Sequence, residues 1–187
     1  FFRFFIVQPG DNPYATMYRK MGAEVIFKKM SIIRRNLSPA FLVAYFANFL
    51  PTVCSFLKLC RVHEIDLVHT NTTQILGAGL AAKLLGIPSI YHVHSYSISK
   101  PEWVVQLLNY WFICTGDRMM ANSPVTANIF LSRGFSEDKM KGVWNPVDYE
   151  EFSAEPENSD VRSEFGIERD VPLIAVAGRV ARIKCIE

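Results

Sequence analysis

Six positions carry the side chains best suited to chemistry: Asn71, His92, His94, Ser95, Arg179 and Lys184. His92 and His94 alternate, so both rings stand on one side of an extended strand. An HxH pair can bind a metal, but a site needs a third and usually a fourth ligand. No acidic residue or cysteine is spaced to supply one. His94 ends its run, with Ser95 and Tyr96 next, which favours hydrogen bonding to a ligand over metal binding; the plain alternative is a structural histidine. His92 sits deeper and reads as structural. Asn71 follows His69 and Thr70 at the end of an earlier apolar run. Its amide suits a sugar hydroxyl, or simple turn chemistry. Gly178-Arg179-Val180-Ala181-Arg182-Ile183-Lys184 sets three cations just past another apolar run. Arg grips a diphosphate through its bidentate fork and Lys acts as a point charge, although such a loop also serves as solvated surface.

The elements that must position these groups are legible around them. Ile65–Val68 is a short apolar run, Gln74–Leu85 is helical and stops at Gly86, and Pro88 opens a β-rich run ending in His92-Val93-His94-Ser95. Strand, helix and strand within about 30 residues is the size of a parallel βαβ unit. In an open parallel sheet, ligands bind outside the carboxyl ends of the strands, where both runs turn polar. Gly77-Ala78-Gly79-Leu80-Ala81-Ala82 fits the GxGxxA dinucleotide pattern in letters only. Its glycines fall well inside the helix rather than in the turn after the strand, so they predict close helix–sheet packing and argue against a Rossmann dehydrogenase.

The same alternation extends along the chain. Strands are expected at Phe1–Val7, Glu24–Phe27, Asp117–Ala121, Lys139–Val143 and Val171–Ala177. Helices are expected at Tyr14–Met21, closed by Gly22, at about Pro39–Val62, at Glu102–Phe112, and from Pro124 to about Arg133, capped by Ser123 and stopped by Gly134. Ser153–Asp160 is acidic and polar and reads as a linker, followed by a helical turn at Val161–Gly166. This order predicts an α/β fold with a doubly wound parallel sheet, helices on both faces, and the first strand of a second domain. The expected division is 1–152, a linker at 153–170, and the start of a second domain at 171–187.

Composition narrows the classes. Half of the 187 residues are hydrophobic, ample for a core, and the formal charge of +2 gives no case for nucleic acid. Arg19, Lys20, Lys28, Lys29, Arg34 and Arg35 cluster early, as a solvated surface or as a contact for anionic lipid or a phosphorylated substrate. Ala40–Leu57 is uncharged and mostly apolar. Asn48 and Pro51 inside it, and the small or polar stripe Ala44, Asn48, Thr52 and Ser55, favour a largely buried helix bent near Pro51 over a membrane span. Lying on a membrane is the other alternative. Cys54, Cys60, Cys114 and Cys185 have no CxxC spacing and suit a reducing, cytoplasmic compartment.

Four segments in order resemble the retaining GT-B glycosyltransferases of family four. DLVHTN with GAGLAAKLLGIPSIYHVHS resembles the acceptor side of their cleft. ANSPVTANIFLSRGF resembles their strand–helix step, KMKGVWNPVDYEEF the segment before their second domain, and VPLIAVAGRVARIK the start of their donor-binding domain. The resemblance implies a Rossmann-like amino-terminal domain and sugar transfer from a nucleotide-sugar donor to a glycan or lipid-linked acceptor, with no cofactor and with a possible site of work at the inner face of a membrane. It implies that His94 approaches the transferred sugar and that Arg179 and Lys184 neutralise the leaving diphosphate, while Asn71 and Ser95 are expected to contact the substrate from their places at the strand ends. Pro146 and Cys185 both stand where the family commonly has Gly, and Cys185 removes backbone freedom from the cationic loop. The resemblance also implies a piece of a longer protein, without the family's first strand, its Gly-rich loop or its carboxylate pair, and inactive alone. A GT-B-type epimerase or phosphorylase, or a membrane-associated binding module, is the alternative.

Overall fold

The computed structural model describes residues 2–34, 38–94, 102–153, 161–168 and 170–174. The chain divides into two compact units, Phe1–Asn145 and Pro146–Glu187.

The first unit is a parallel α/β domain. Its elements are β1 (Phe5–Gln8), α1 (Pro13–Lys20), β2 (Glu24–Phe27), α2 (Pro39–Val62), β3 (Val68–Thr70), α3 (Leu76–Leu85), β4 (Ser89–Val93), α4 (Glu102–Thr115), β5 (Arg118–Ala121), α5 (Pro124–Leu131) and β6 (Met140–Gly142). Three of its helices start the same way. Asn12-Pro13, Ser38-Pro39 and Ser123-Pro124 each place a capping oxygen before a proline. The oxygen takes an orphan backbone N–H, and the proline has none to leave unsatisfied. The side chains of Asn12, Ser38 and Ser123 accept from the N–H groups of Tyr14, Phe41 and Thr126. Gly86 ends α3 at a φ of 68°, a left-handed conformation that glycine adopts without strain.

Among the described residues the strands form two hydrogen-bonded parallel sheets, in the α/β architecture expected. β1 pairs with β2, and β3, β4, β5 and β6 pair in that order, every pair parallel. The β3 strand starts at Val68, three residues later than the apolar run that predicts it.

One face of the four-stranded sheet holds the core. Tyr91, Val93 and Met119 are fully buried there with Phe112 of α4 and Phe130 of α5. Tyr91 meets Phe112 edge to face at 4.8 Å. Its hydroxyl donates to Thr115 Oγ1 at 2.9 Å, and that hydroxyl in turn donates to the Trp111 carbonyl at 2.8 Å. A buried phenol is thus satisfied within the core. A Cβ on Gly79 would run into the Tyr91 ring, and one on Gly77 would come within 3.0 Å of Thr52 in α2. The two glycines therefore serve close packing, on the sheet side and on the helix side.

The α2 helix differs from its expectation. Its bounds are as read, but it is not largely buried: Tyr45, Thr52, Val53, Leu59 and Cys60 are buried, whereas Val43, Phe46 and Leu50 are well exposed. Composition reports how apolar a segment is, not how much of it has something to pack against.

In the second unit, α6 (Tyr149–Ser153) and α7 (Val161–Phe165) are single short helices. Residues 171–174 carry no strand, and the rest of the expected strand, 175–177, lies outside the described residues.

Candidate functional site

Three strand ends meet at the carboxyl edge of the sheet. Parallel pairing aligns Thr70 with Tyr91 and Val93 with Ala121. His94 and Asn122 follow directly at that edge, Asn71 ends the neighbouring strand level with His92, and both asparagines bond to His94. His94 Nε2 donates to Asn71 Oδ1 at 2.7 Å. Asn122 Nδ2 donates to the His94 carbonyl at 2.8 Å. Asn122 is fixed in turn, because its Oδ1 accepts from Thr126 Oγ1 at 3.1 Å.

This network has a chemical consequence. With Nε2 carrying the hydrogen, a neutral His94 ring presents Nδ1 as an acceptor. Both His94 and Asn71 are exposed, so the pair is open to a ligand while its geometry is already set. Polar groups held by other residues do not have to be ordered when a substrate arrives.

Behind His94 lie two more imidazoles. The His92 ring centroid is 4.0 Å from that of His94, and His69 stacks on His92 at 5.5 Å. Burial holds the pKa of both His69 and His92 below the ordinary 6.5, and electrostatic repulsion from the neighbouring His94 imidazole acts the same way. For His92 the neighbouring His69 adds to this. His92 Nε2 is buried without a hydrogen-bond partner among the described residues, which also disfavours a charged ring. No group of three or more His, Cys, Asp or Glu side chains among the described residues is arranged to hold a metal ion.

The edge continues into a cleft of about 270 Å³ at the ends of β5 and β6, lined by Ala121, Ser123, Asn128, Gly142 and Trp144 among others. Trp144 is 70% exposed, a flat apolar surface standing free at the cleft.

Of the residues singled out in the sequence, Asn71 and His94 come together in one hydrogen bond. Ser95, Arg179 and Lys184 lie outside the described residues. Asn122 is not among the residues singled out in the sequence. The signal that marks it is register: β5 ends opposite β4, so a polar residue one step past Ala121 falls beside His94.

A profile of the family described as Glycosyltransferase Family 4 matches residues 10–151. No curated protein sequence matches. Among solved structures, the chain is similar to Alr3699/HepE of Anabaena in complex with UDP-glucose. The TM-score is 0.61 at 18% identity, over 87% of this chain and 42% of that one. It is also similar to a glycosyltransferase from Rickettsia africae ESF-5, with a TM-score of 0.58 at 15% identity, over 90% of this chain and 42% of that one. The chain thus spans about two fifths of the length of these proteins. At such identities the likeness concerns the fold, a Rossmann-like amino-terminal domain of GT-B type.

Proposed function

The chain belongs to Glycosyltransferase Family 4, and on that premise we propose that its whole protein transfers a hexose from a nucleoside diphosphate sugar to a glycan or lipid-linked acceptor, with retention of configuration. The observation that carries the reading is the Asn71–His94–Asn122 network at the carboxyl edge. That edge is where open parallel sheets receive ligands. His94 offers an acceptor nitrogen to a hydroxyl of the transferred sugar, and Asn71 holds the ring in the orientation that makes the offer. The transferred sugar sits over His94, with Ser95, the next residue in the sequence, as a further contact.

The donor domain, which we take to begin near 171 after a linker at 153–170, supplies the contacts to the diphosphate. There Arg179 and Lys184 neutralise charge that builds on the diphosphate as the glycosidic bond breaks, an electrostatic role that needs no metal. HepE is seen with UDP-glucose, which makes UDP-glucose the first donor to try. The free thiols of Cys54, Cys60 and Cys114 support a reducing, cytoplasmic setting in which glycans are built from activated sugars.

The test is acceptor-dependent release of nucleoside diphosphate by the full-length protein over a panel of nucleotide sugars, with NMR of the product. The expected product keeps the donor's anomeric configuration. Inverted product would remove retention, and absence of transfer from every donor would remove the function. The 187-residue chain alone is expected to be inactive.

A further inference from the structure

The α2 helix has two sides of opposite character. At roughly 100° per residue, Val43, Phe46, Ala47, Leu50, Cys54 and Arg61 fall on one stripe. Val43 is 71% exposed and Phe46 and Leu50 are each 67% exposed. The opposite side carries the buried Tyr45, Thr52 and Leu59 and is tied to the protein. There Thr52 Oγ1 accepts the Ser31 N–H at 2.9 Å, and Ser31 Oγ donates to the Tyr45 carbonyl at 3.2 Å. A helix packed in this way does not cross a bilayer, although it is long and apolar enough to do so. Its outward side is a surface for something else.

Charge selects the occupant. From Val25 to His63 the sequence has no Asp or Glu and six cations, Lys28, Lys29, Arg34, Arg35, Lys58 and Arg61. The whole chain carries a formal +2, so everything outside this segment is net −4. Lys58 and Arg61 are exposed on the last turns of α2, and Lys28 and Lys29 are exposed just after β2. An apolar stripe that passes into cations along one helix suits a bilayer surface with anionic headgroups. The apolar side chains enter the boundary between headgroups and acyl chains, and the cations meet phosphates. A second copy of this chain fits poorly, because a two-fold contact sets a patch against itself and brings like charges together.

We propose that the outward face of α2 docks the protein on an anionic lipid surface, with the helix lying in the plane of the interface. This reading is independent of sugar transfer and of the His94 site.

Flotation of the full-length protein with phosphatidylglycerol–phosphatidylcholine vesicles, against phosphatidylcholine alone, tests it. The protein is expected to float with the anionic vesicles and to be released by salt. The triple variant Val43→Ser/Phe46→Ser/Leu50→Ser should lose at least about tenfold in partitioning, with its melting temperature held, because these side chains are already exposed. The double variant Lys58→Glu/Arg61→Glu should also bind less, and its residual binding should respond less to salt. Val125→Ser, at an apolar residue on α5 that is 74% exposed, should change nothing. No flotation with anionic vesicles would overturn the proposal, as would binding that the triple variant keeps. A dimer in analytical ultracentrifugation that the triple variant abolishes, without vesicle binding, would reassign the face to a second copy and overturn it too.

Discussion

The two faces of β4 do different work. Ser89, Tyr91 and Val93 are 1%, 0% and 0% exposed and lie under α3, α4 and α5. Ile90 and His92, between them, are only half-buried, and His94 continues their side to the exposed edge. Strands of a parallel sheet are commonly apolar on both faces. Here one face of a five-residue strand anchors the core, and the other carries His92, two residues before His94 at the exposed edge. A period of two is enough to separate stability from chemistry.

The largest effect that tests this division is on the packed face. Phe112→Ala should destabilise the chain by about 3–5 kcal/mol in urea unfolding, whereas Met120→Ala, half-buried on the histidine face, should cost under about 1.5 kcal/mol. Equal losses would break the comparison. Gly79→Ala comes next, at about 1–3 kcal/mol, because the new methyl must displace the Tyr91 ring and its bond to Thr115. Tyr91→Phe in that background should recover part of the loss, since the hydroxyl is the first atom met.

The smallest effect is on pH dependence. The folded His69 and His92 resist protonation, whereas in the unfolded chain they take up protons near the ordinary 6.5. Between those values the unfolded state binds more protons, so stability is full above about pH 6.5 and falls as pH drops below it. Replacing His92 with Gln should flatten that decline in thermal melts followed from pH 7.5 down to about 5. A decline of unchanged slope would show that the histidine face does not titrate with folding.

Much of the fold was legible because caps and stops are local. Asn12-Pro13, Ser38-Pro39 and Ser123-Pro124 mark helix starts by a mechanism contained in two residues, and Gly22, Gly86 and Gly134 mark ends, each at positive φ. The exposure of α2 was not legible, because burial depends on what else is present to pack. The pairing of Asn71 with His94 was half legible. Each residue stood out at a strand end, but the register between β3 and β4 sets Asn71 level with His92, and only the folded side-chain geometry joins it to His94. Asn122 shows the same limit: in the sequence it only precedes the Ser123 cap, and the alignment of β5 with β4 is what joins it to the site.

The central claim is that this edge receives the transferred sugar, and His94→Ala in the full-length protein tests it most directly, by steady-state transfer alongside a thermal melt. The account predicts kcat lower by about a hundredfold at an unchanged melting temperature, with Asn71→Ala lower by about tenfold because the ring loses its holding bond. Turnover by His94→Ala close to that of the wild type, in a protein that melts normally, would contradict it.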